Sequence, residues 1–375
     1  MNFFERQRQV RRLSWRLVFL FAVAVVGIVL TVDLAVVFAL GGFDRPIRQT
    51  VGVMLLTSLA TGAGIGLASL YRTLSLRAGG GKVARDLGGV GVPADTTDPR
   101  LRRLRNVVEE IAIASGVPVP EVYVLPDEPG INAFAAGWSP SDAAVAVTRG
   151  ALERLNRDEL QGVIAHEFSH VLNGDMRLNI RLMGLLYGIL ALAVVGRSLL
   201  YLGGRRVSRS AAPIFVAALA ALFAGYIGFF VGRLIQAAVS RQREYLADAS
   251  AVQFTRQTAG LAGALKKIAG LPAGSAVRTP KAAEVAHMLF GAGRRLSGLW
   301  STHPPLLDRI RVLDPGTSAA ELDELARRWA VTPPSGMAED QALGLAAADR
   351  RSGATGATAR PDAGSGILPP SADTE

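Results

Sequence analysis

The chain has 375 residues, half of them hydrophobic, with a formal net charge of +10 at pH 7 and a mean hydropathy of +0.29. This composition is too apolar for a typical soluble enzyme, and its scattered arginines flank apolar segments, which favours membrane topology over nucleic-acid binding. No cysteine is present, so disulfides and thiolate metal sites are excluded and any metal must be held by histidine and carboxylate.

Two apolar stretches near the N-terminus are each long enough to cross about 30 Å of hydrocarbon. They are residues 17–40, interrupted only by Asp33, and residues 51–70, which carry no charge. A cleaved signal peptide is the alternative for the first stretch, but the run is too long and no small-residue cleavage site follows. Basic residues before the first stretch and after the second predict a cytoplasmic position for both flanks. For Asp33, an interfacial position at the end of the span is favoured over a functional role at membrane depth.

From residue 79 the composition becomes that of a water-soluble domain. One helix and three strands are predicted from the spacing of their apolar residues, at residues 98–115, 118–125, 131–137 and 143–148. A short helix follows, and a longer one begins near residue 157 with Asn156 or Asp158 as its N-cap.

The longer helix carries the sequence HEFSH at residues 166–170. His166 and His170 are four positions apart, so both imidazoles lie on one helix face and can bind one metal ion. A catalytic zinc site keeps one position open for water, and Glu167 is placed to accept the proton of that water. The alternative is a metal-free buried cluster, but a buried helix would hardly carry these groups unless they were paired or bound.

Two more apolar stretches follow, at residues 182–202 and 211–232. The second carries no charge, and the first carries only Arg197. Three arginines within residues 205–209 separate them, and a full crossing would put these on the outer side, against the positive-inside rule. A hairpin that enters the bilayer only partly, or packs on the catalytic domain, stays open. The sequence therefore predicts two to four transmembrane helices.

A catalytic zinc site needs a third protein ligand. The sequence EYLAD at residues 244–248 places Glu244 and Asp248 on one helix face. The chain between His170 and Glu244 has its midpoint in the predicted tip of the hairpin, so arms of equal length would return Glu244 beside His170. Glu244 is then a ligand, and Asp248 orients a ligand imidazole. A solvated acidic face paired with neighbouring arginines is the alternative.

These motifs resemble those of the HtpX-like membrane zinc peptidases, relatives of the CAAX prenyl proteases. The matching pieces follow the family's order between residues 70 and 315: NAFA at 132–135, HEFSH with NGD at 166–175, EYLAD at 244–248, and THPP at 302–305 with Arg309. The resemblance implies one zinc ion per chain, held by His166, His170 and Glu244, with Glu167 as general base. It also implies membrane quality control, a stress response in which damaged membrane proteins are cut on the cytoplasmic side.

Three further residues have predicted roles near the metal. His303 would donate a hydrogen bond to the oxyanion that forms when water attacks a peptide carbonyl. From the residues alone a turn-capping histidine is favoured, and the resemblance reverses that preference. Arg309 is placed to hold an active-site carboxylate. Asn132 lies on a predicted exposed strand edge, where an extended substrate would pair through main-chain hydrogen bonds.

The predicted fold class is α+β: a mostly helical, membrane-embedded peptidase of the zincin type with a small β-sheet. Three parts are expected: a membrane hairpin at residues 1–78, a zinc peptidase domain at 79–333 interrupted by the apolar hairpin at 182–235, and a disordered tail at 334–375. The predicted location is a bacterial inner membrane, crossed several times, with the active site facing the cytoplasm.

The predicted function is that of a zinc endopeptidase that cleaves damaged or misassembled membrane proteins. Its expected partners are polypeptides and the lipid bilayer, with no nucleic acid; the sequence predicts no oligomeric state. One alternative is a processing peptidase for a specific peptide or a lipidated substrate. The other is a non-catalytic scaffold that keeps zinc for folding, against which Glu167 argues because a structural site needs no base.

Overall fold

A computed structural model describes residues 3–41, 46–77, 79–203, 212–279, 288–291 and 301–345. The helices and strands are α1 (Phe3–Ala39), α2 (Ile47–Ser75), α3 (Gly80–Asp86), β1 (Val90–Gly91), α4 (Pro99–Ser115), β2 (Glu121–Leu125), β3 (Ala133–Ala136), β4 (Ala144–Thr148), α5 (Arg149–Arg154), α6 (Arg157–Asn173), α7 (Asp175–Gly203), α8 (Ala212–Thr255), α9 (Ala259–Gly270), α10 (Leu306–Leu313), α11 (Ala319–Val331) and α12 (Gly336–Ala342). The predicted class, mostly helical with a small sheet, is confirmed.

Four helical segments are long and apolar enough to cross a membrane: Val18–Ala39, Ile47–Ser75, Asp175–Tyr201 and Ile214–Thr255. This agrees with the upper end of the predicted range. α7 packs against α8, with α1 on α8 and α2 on α7. Gly196 allows the close approach of α7 to α8, since a Cβ there would lie 2.6 Å from the Ala218 carbonyl oxygen. The arginines predicted at the hairpin tip lie outside the described residues.

Asp33 lies within the first of these segments and is fully buried. Its carboxylate accepts hydrogen bonds from Thr57 Oγ1, at 2.5 Å, and from Ser58 Oγ, both on α2. A buried carboxylate needs such partners because its desolvation is otherwise costly. Asp33 therefore joins α1 to α2, and its position at the membrane interface stays a prediction.

The sheet has the strand order β1-β2-β4-β3. β2 and β4 are parallel, β3 runs antiparallel to β4, and β1 runs antiparallel to β2. All three predicted strands are confirmed, whereas the two-residue β1 was too short to show a pattern. Every residue of β4 is buried, and β3 forms one edge of the sheet beside α6. This arrangement places a strand edge along the helix that carries the HEFSH sequence.

Both ends of α6 are fixed by local interactions. Asn156 is the N-cap: its side-chain oxygen accepts from the Glu159 backbone N–H, and Glu159 accepts from the Asn156 N–H, each at 2.9 Å. At the other end Gly174 adopts a left-handed conformation with φ 69°, and α7 begins at the next residue. The chain thus turns sharply into the second membrane hairpin directly after the histidine pair.

The predicted start of the disordered tail at residue 334 is wrong, because helix α12 lies within it and packs on α5 and α6. Asp340 is buried and forms an ion pair with Arg103 at 2.6 Å. It also accepts a hydrogen bond from the Arg157 backbone N–H at 2.8 Å, at the start of α6. Because α12 is held in place by an ion pair, the low apolar content of its sequence gave no indication that it packs on the rest of the protein. The remaining tail, residues 346–375, lies outside the described residues.

Replacing Asp340 by alanine is expected to lower the free energy of unfolding by about 3–5 kcal/mol, because Arg103 would stay buried without its carboxylate. Denaturant unfolding of the purified protein in detergent measures this difference. Asp323→Ala, at an exposed position of α11, is the matched control and should change stability by less than about 0.5 kcal/mol. Equal stability of the two variants would contradict the role given to α12.

Candidate active site

The structure brings together the three predicted metal ligands from two helices. His166 and His170 lie on α6, and Glu244 lies near the C-terminal end of α8. The two Nε2 atoms are 3.2 Å apart. One Glu244 oxygen lies 3.6 Å from His166 Nε2 and the other lies 3.5 Å from His170 Nε2. The helical hairpin thus returns Glu244 to the histidine pair, as the lengths of its two arms predict.

These distances fit a tetrahedral metal ion. Zinc binds nitrogen and oxygen donors at about 2.0–2.1 Å, which separates neighbouring donors of a tetrahedron by about 3.3–3.4 Å. The Nε2–Nε2 separation and the distance from each Nε2 to its nearer Glu244 oxygen lie within 0.3 Å of that range, with a different Glu244 oxygen making each of the two contacts. In addition, Glu167 Oε1 is buried and has no hydrogen-bond partner among the described residues. Since a buried oxygen without a partner is costly, a cation at this point would stabilise it.

A carboxylate lies behind each imidazole. Asp248 Oδ1 is 2.9 Å from His166 Nδ1, as the sequence predicts, and Asp175 Oδ2 is 2.9 Å from His170 Nδ1. The contact at His170 Nδ1 is a hydrogen bond, which fixes the ring orientation and directs Nε2 to the centre. The contact at His166 Nδ1 is as short but lacks the angle of a hydrogen bond. Asp175 also accepts a hydrogen bond from Arg243 of α8. Asp175 had no predicted role, although it belongs to the NGD triplet after the metal motif.

Arg309 of α10 holds the acidic side of the cluster. Its Nε and Nη2 donate to the two Asp248 oxygens at 2.9 and 2.7 Å, and its Nη1 lies 3.3 Å from Glu244 Oε2. The side chain is fully buried, so this bidentate pair is shielded from water. The structure therefore places Arg309 where the sequence predicts, against active-site carboxylates.

His303 lies beside the same group. Its Nδ1 is 2.9 Å from Glu244 Oε2, although without the angle of a hydrogen bond. Neither ring nitrogen has a hydrogen-bond partner within the part of the chain that the structure describes. A buried imidazole with an unused Nε2 can interact with a ligand that enters the centre.

Glu167 faces the centre with one oxygen and the sheet with the other. Its Oε2 accepts a hydrogen bond from the Ala135 backbone N–H of β3 at 2.9 Å, while Oε1 has no described partner. Burial raises the pKa of this carboxyl above its usual value, against the lowering effect of the two histidines. A cavity opens beside it, lined by Glu167, His170, Glu244 and, from the 288–291 segment, Met288 and Leu289.

Asn132 does not lie on an exposed strand edge. It is fully buried, and its side-chain nitrogen donates to the carbonyl oxygens of Ser275 at 2.7 Å and Gly291 at 3.2 Å. Phe290 N–H donates to the Ala133 carbonyl at 2.9 Å, so the 288–291 segment covers this part of the β3 edge. The predicted exposure is therefore not met, and a direct role with substrate stays a prediction.

The charge of the cluster favours a divalent cation. Its carboxylates are those of Glu167, Asp175, Glu244 and Asp248, and its guanidiniums are those of Arg243 and Arg309. With both imidazoles neutral, four carboxylates and two guanidiniums leave a charge of −2. Burial alone would lower the pKa of His166 and His170, but the carboxylates around each ring raise it. A divalent cation bound to the neutral imidazoles would balance the charge of −2 in place of the protons that the raised pKa values favour.

Asp175→Asn is expected to weaken zinc binding by about 10–100-fold, since the asparagine removes the charge that holds His170 in orientation. Competition with a chromogenic zinc chelator measures the change in affinity. Glu109→Gln on the exposed face of α4 removes the same charge far from the centre and should leave the affinity unchanged. An unaltered affinity in Asp175→Asn would show that the contact has no influence on the metal.

Known proteins are similar to this chain over the region that contains the candidate metal ligands. The model of Peptidase family M48 matches residues 99–316. "Protease HtpX homolog" of Streptococcus uberis is 39% identical over 214 residues, covering 56% of this chain and 71% of the relative. The protein of the same name from Lactobacillus acidophilus is 41% identical over 220 residues, covering 56% of this chain and 72% of the relative. The one from Caldanaerobacter subterraneus subsp. tengcongensis is 40% identical over 226 residues, covering 59% of this chain and 74% of the relative.

Among solved structures, the chain is similar to the one described as "Crystal Structure of S. mikatae Ste24p". The sequence identity is 16% and the TM-score 0.42, with 82% of this chain and 66% of that chain covered. The sequence matches, rather than this structural one, confirm the resemblance predicted from the motifs.

Proposed function

The chain belongs to peptidase family M48 and is a metalloprotease, and we propose that its metal is one zinc ion held by His166, His170 and Glu244. The observation that carries the proposal is the convergence of two Nε2 atoms 3.2 Å apart on the Glu244 carboxylate, whose oxygens lie 3.5 and 3.6 Å from them, beside a Glu167 oxygen with no described partner. Three ligands and an adjacent base, as proposed for these residues, are the composition of a catalytic site and not of a structural one.

Zinc bound there would supply a Lewis acid that acidifies water and polarises a peptide carbonyl. Glu167 Oε1 would accept the proton of the attacking water, because Oε2 is held by the Ala135 N–H. The same oxygen would then pass the proton to the nitrogen of the leaving amine. The bond from Ala135 keeps the carboxylate oriented during both transfers.

His303 and Arg309 have separate roles in this proposal: one stabilises the negative charge that forms during the reaction, and the other positions carboxylates. In any form that carries a proton on Nε2, His303 can donate a hydrogen bond to the oxyanion formed from the peptide carbonyl. Arg309 keeps Asp248 and Glu244 in position through its buried contacts. Asp248 and Asp175 in turn orient the two imidazoles.

The four apolar helices and the HtpX relatives indicate a multi-pass membrane protein. We further propose that it lies in a bacterial inner membrane with its active site in the cytoplasm, where it removes damaged or misassembled membrane proteins. Arg72, Arg77, Lys82 and Arg85, at and after the end of α2, support this orientation through the positive-inside rule. Since no native cysteine interferes, labelling of Lys82→Cys from the cytoplasmic side only is expected; labelling from the outer side only would reverse the orientation.

A broad-spectrum cleavage assay tests the proposed function. The purified protein in detergent is expected to cleave an unfolded protein such as casein, to lose this activity with a zinc chelator, and to regain it on addition of zinc. Unchanged cleavage in the chelator would contradict a metal-dependent mechanism. Cleavage of one defined peptide and of no unfolded protein would favour a processing peptidase over quality control.

A further inference from the structure

Three arginines surround one tryptophan where the membrane helices meet the catalytic domain. The guanidinium carbon of Arg77 lies 3.8 Å from the centre of the Trp138 ring, that of Arg177 lies at 5.5 Å and that of Arg181 at 5.7 Å. Arg77 follows α2, the other two arginines belong to the first turns of α7, and Trp138 follows β3. Four separate chain positions thus converge on a single aromatic ring.

The positive charge of this group, hereafter the Trp138 cluster, is not balanced by protein carboxylates. None of the three arginines forms an ion pair with a carboxylate among the residues that the structure describes. Asp142 is engaged by the backbone N–H groups of Trp138 and Ser139, and Asp175 by His170 and Arg243. Cation–π contact with the ring offsets part of the mutual repulsion, but three neighbouring cations still favour an added anion.

The position of the cluster identifies the kind of anion. α2 and α7 are both candidate membrane spans, and the arginines lie at the ends of these spans on the side of the catalytic domain. Five residues before Arg77, in the last turn of α2, Arg72 lies 5.9 Å from the Tyr187 ring of α7, which extends the basic and aromatic face. Tryptophan, tyrosine and arginine together are typical of the depth at which phospholipid headgroups lie.

We propose that the Trp138 cluster binds the headgroup of an anionic phospholipid. Arginine forks bind phosphate oxygens in a bidentate manner, and the exposed side chains of Arg77 and Arg181 leave their donors accessible. Arg177 is anchored by its Nε bond to the Trp138 carbonyl at 3.1 Å, so it and the ring form a fixed floor for the headgroup. A free anion would lack the acyl chains that the neighbouring apolar helix faces accept.

The site would connect the bilayer to the active site through short chain segments. Trp138 follows the edge strand β3, whose Ala135 N–H holds Glu167, and Arg177 comes two residues after Asp175, the partner of His170. A lipid bound at the cluster therefore fixes both segments relative to the membrane surface. This inference concerns binding alone and is independent of the proposed zinc chemistry.

Native mass spectrometry of the full chain in neutral detergent tests the proposal. Titration with phosphatidylglycerol is expected to show saturable binding of one lipid, while phosphatidylcholine and inorganic phosphate at the same concentrations do not compete. Arg77→Gln with Arg181→Gln should weaken phosphatidylglycerol binding by about 30-fold. The matched control, Arg327→Gln with Arg328→Gln on the exposed face of α11, removes the same charge and should bind as the unmodified chain does.

Three results would overturn the proposal: equal binding of phosphatidylcholine, displacement of phosphatidylglycerol by inorganic phosphate, or unchanged phosphatidylglycerol binding in the Arg77/Arg181 variant. If the double variant does not fold, as judged by its thermal unfolding, the same phosphatidylglycerol titration is made with the single variant Arg181→Gln. That single change is expected to weaken binding by about 5-fold, and no change in affinity would contradict the site.

Discussion

Glu167→Gln is expected to lower the rate of peptide cleavage by about 10²–10⁴-fold while the zinc content stays at one ion per chain. Glutamine has nearly the same shape, and its amide oxygen can still accept the Ala135 N–H. An amide, however, accepts no proton from water at neutral pH, so the hydrolytic step loses its base. Glu167 is also not one of the three converging donors, and metal binding should therefore survive.

Initial rates on an unfolded protein and zinc analysis of the same sample measure the two effects together. Glu324→Gln, at an exposed position of α11, serves as the matched substitution and should keep both activity and zinc. Full activity in Glu167→Gln would exclude this carboxylate as the base. Loss of zinc together with activity would instead assign Glu167 to the ligands.

Glu244→Ala is expected to remove stably bound zinc and, with it, all cleavage. The change deletes one of three protein donors and leaves the buried His303 and Arg309 without the carboxylate they contact. The affinity should fall by more than the about 10–100-fold expected for an outer partner such as Asp175. A larger loss of zinc affinity in Glu244→Ala than in Asp175→Asn would distinguish a metal ligand from a residue that only orients a ligand.

Metal analysis after equilibration at a fixed free zinc concentration checks this expectation, with Glu324→Ala as the control. Zinc in a one-to-one ratio in Glu244→Ala would mean that the third ligand lies elsewhere. Circular dichroism shows whether the helices persist, because an unfolded variant would lose zinc for an unrelated reason. In that case Glu244→Gln, which keeps the volume of the side chain, replaces it.

Helical spacing explains why much of the centre could be read from the sequence. His166 and His170 share a face because they are four residues apart, and the fold-back of α7 and α8 returns Glu244 to them. Both relations depend on regular helices, whose geometry is the same in every protein. The strands β2, β3 and β4 could likewise be predicted from the spacing of their apolar residues.

The residues that were missed or misplaced depend on irregular backbone or on distant partners. Asp175 meets His170 across the left-handed Gly174, where helical spacing no longer applies. Asn132 is covered by residues 288–291, more than a hundred positions later in the chain. α12 is held by the buried ion pair between Arg103 and Asp340, which cannot be predicted from the pattern of hydrophobic residues. Tertiary contacts of this kind leave no local signal.

The central claim is that two imidazoles of α6 and one carboxylate of α8 hold a single zinc ion with an open position. An experimental structure of the Glu167→Gln variant loaded with zinc, with the metal located by its anomalous scattering, tests it most directly. The account predicts zinc at about 2.0–2.2 Å from His166 Nε2, His170 Nε2 and a Glu244 oxygen, and bound to no other side chain. Zinc at another place, or a Glu244 carboxylate more than about 4 Å from the ion, would contradict it.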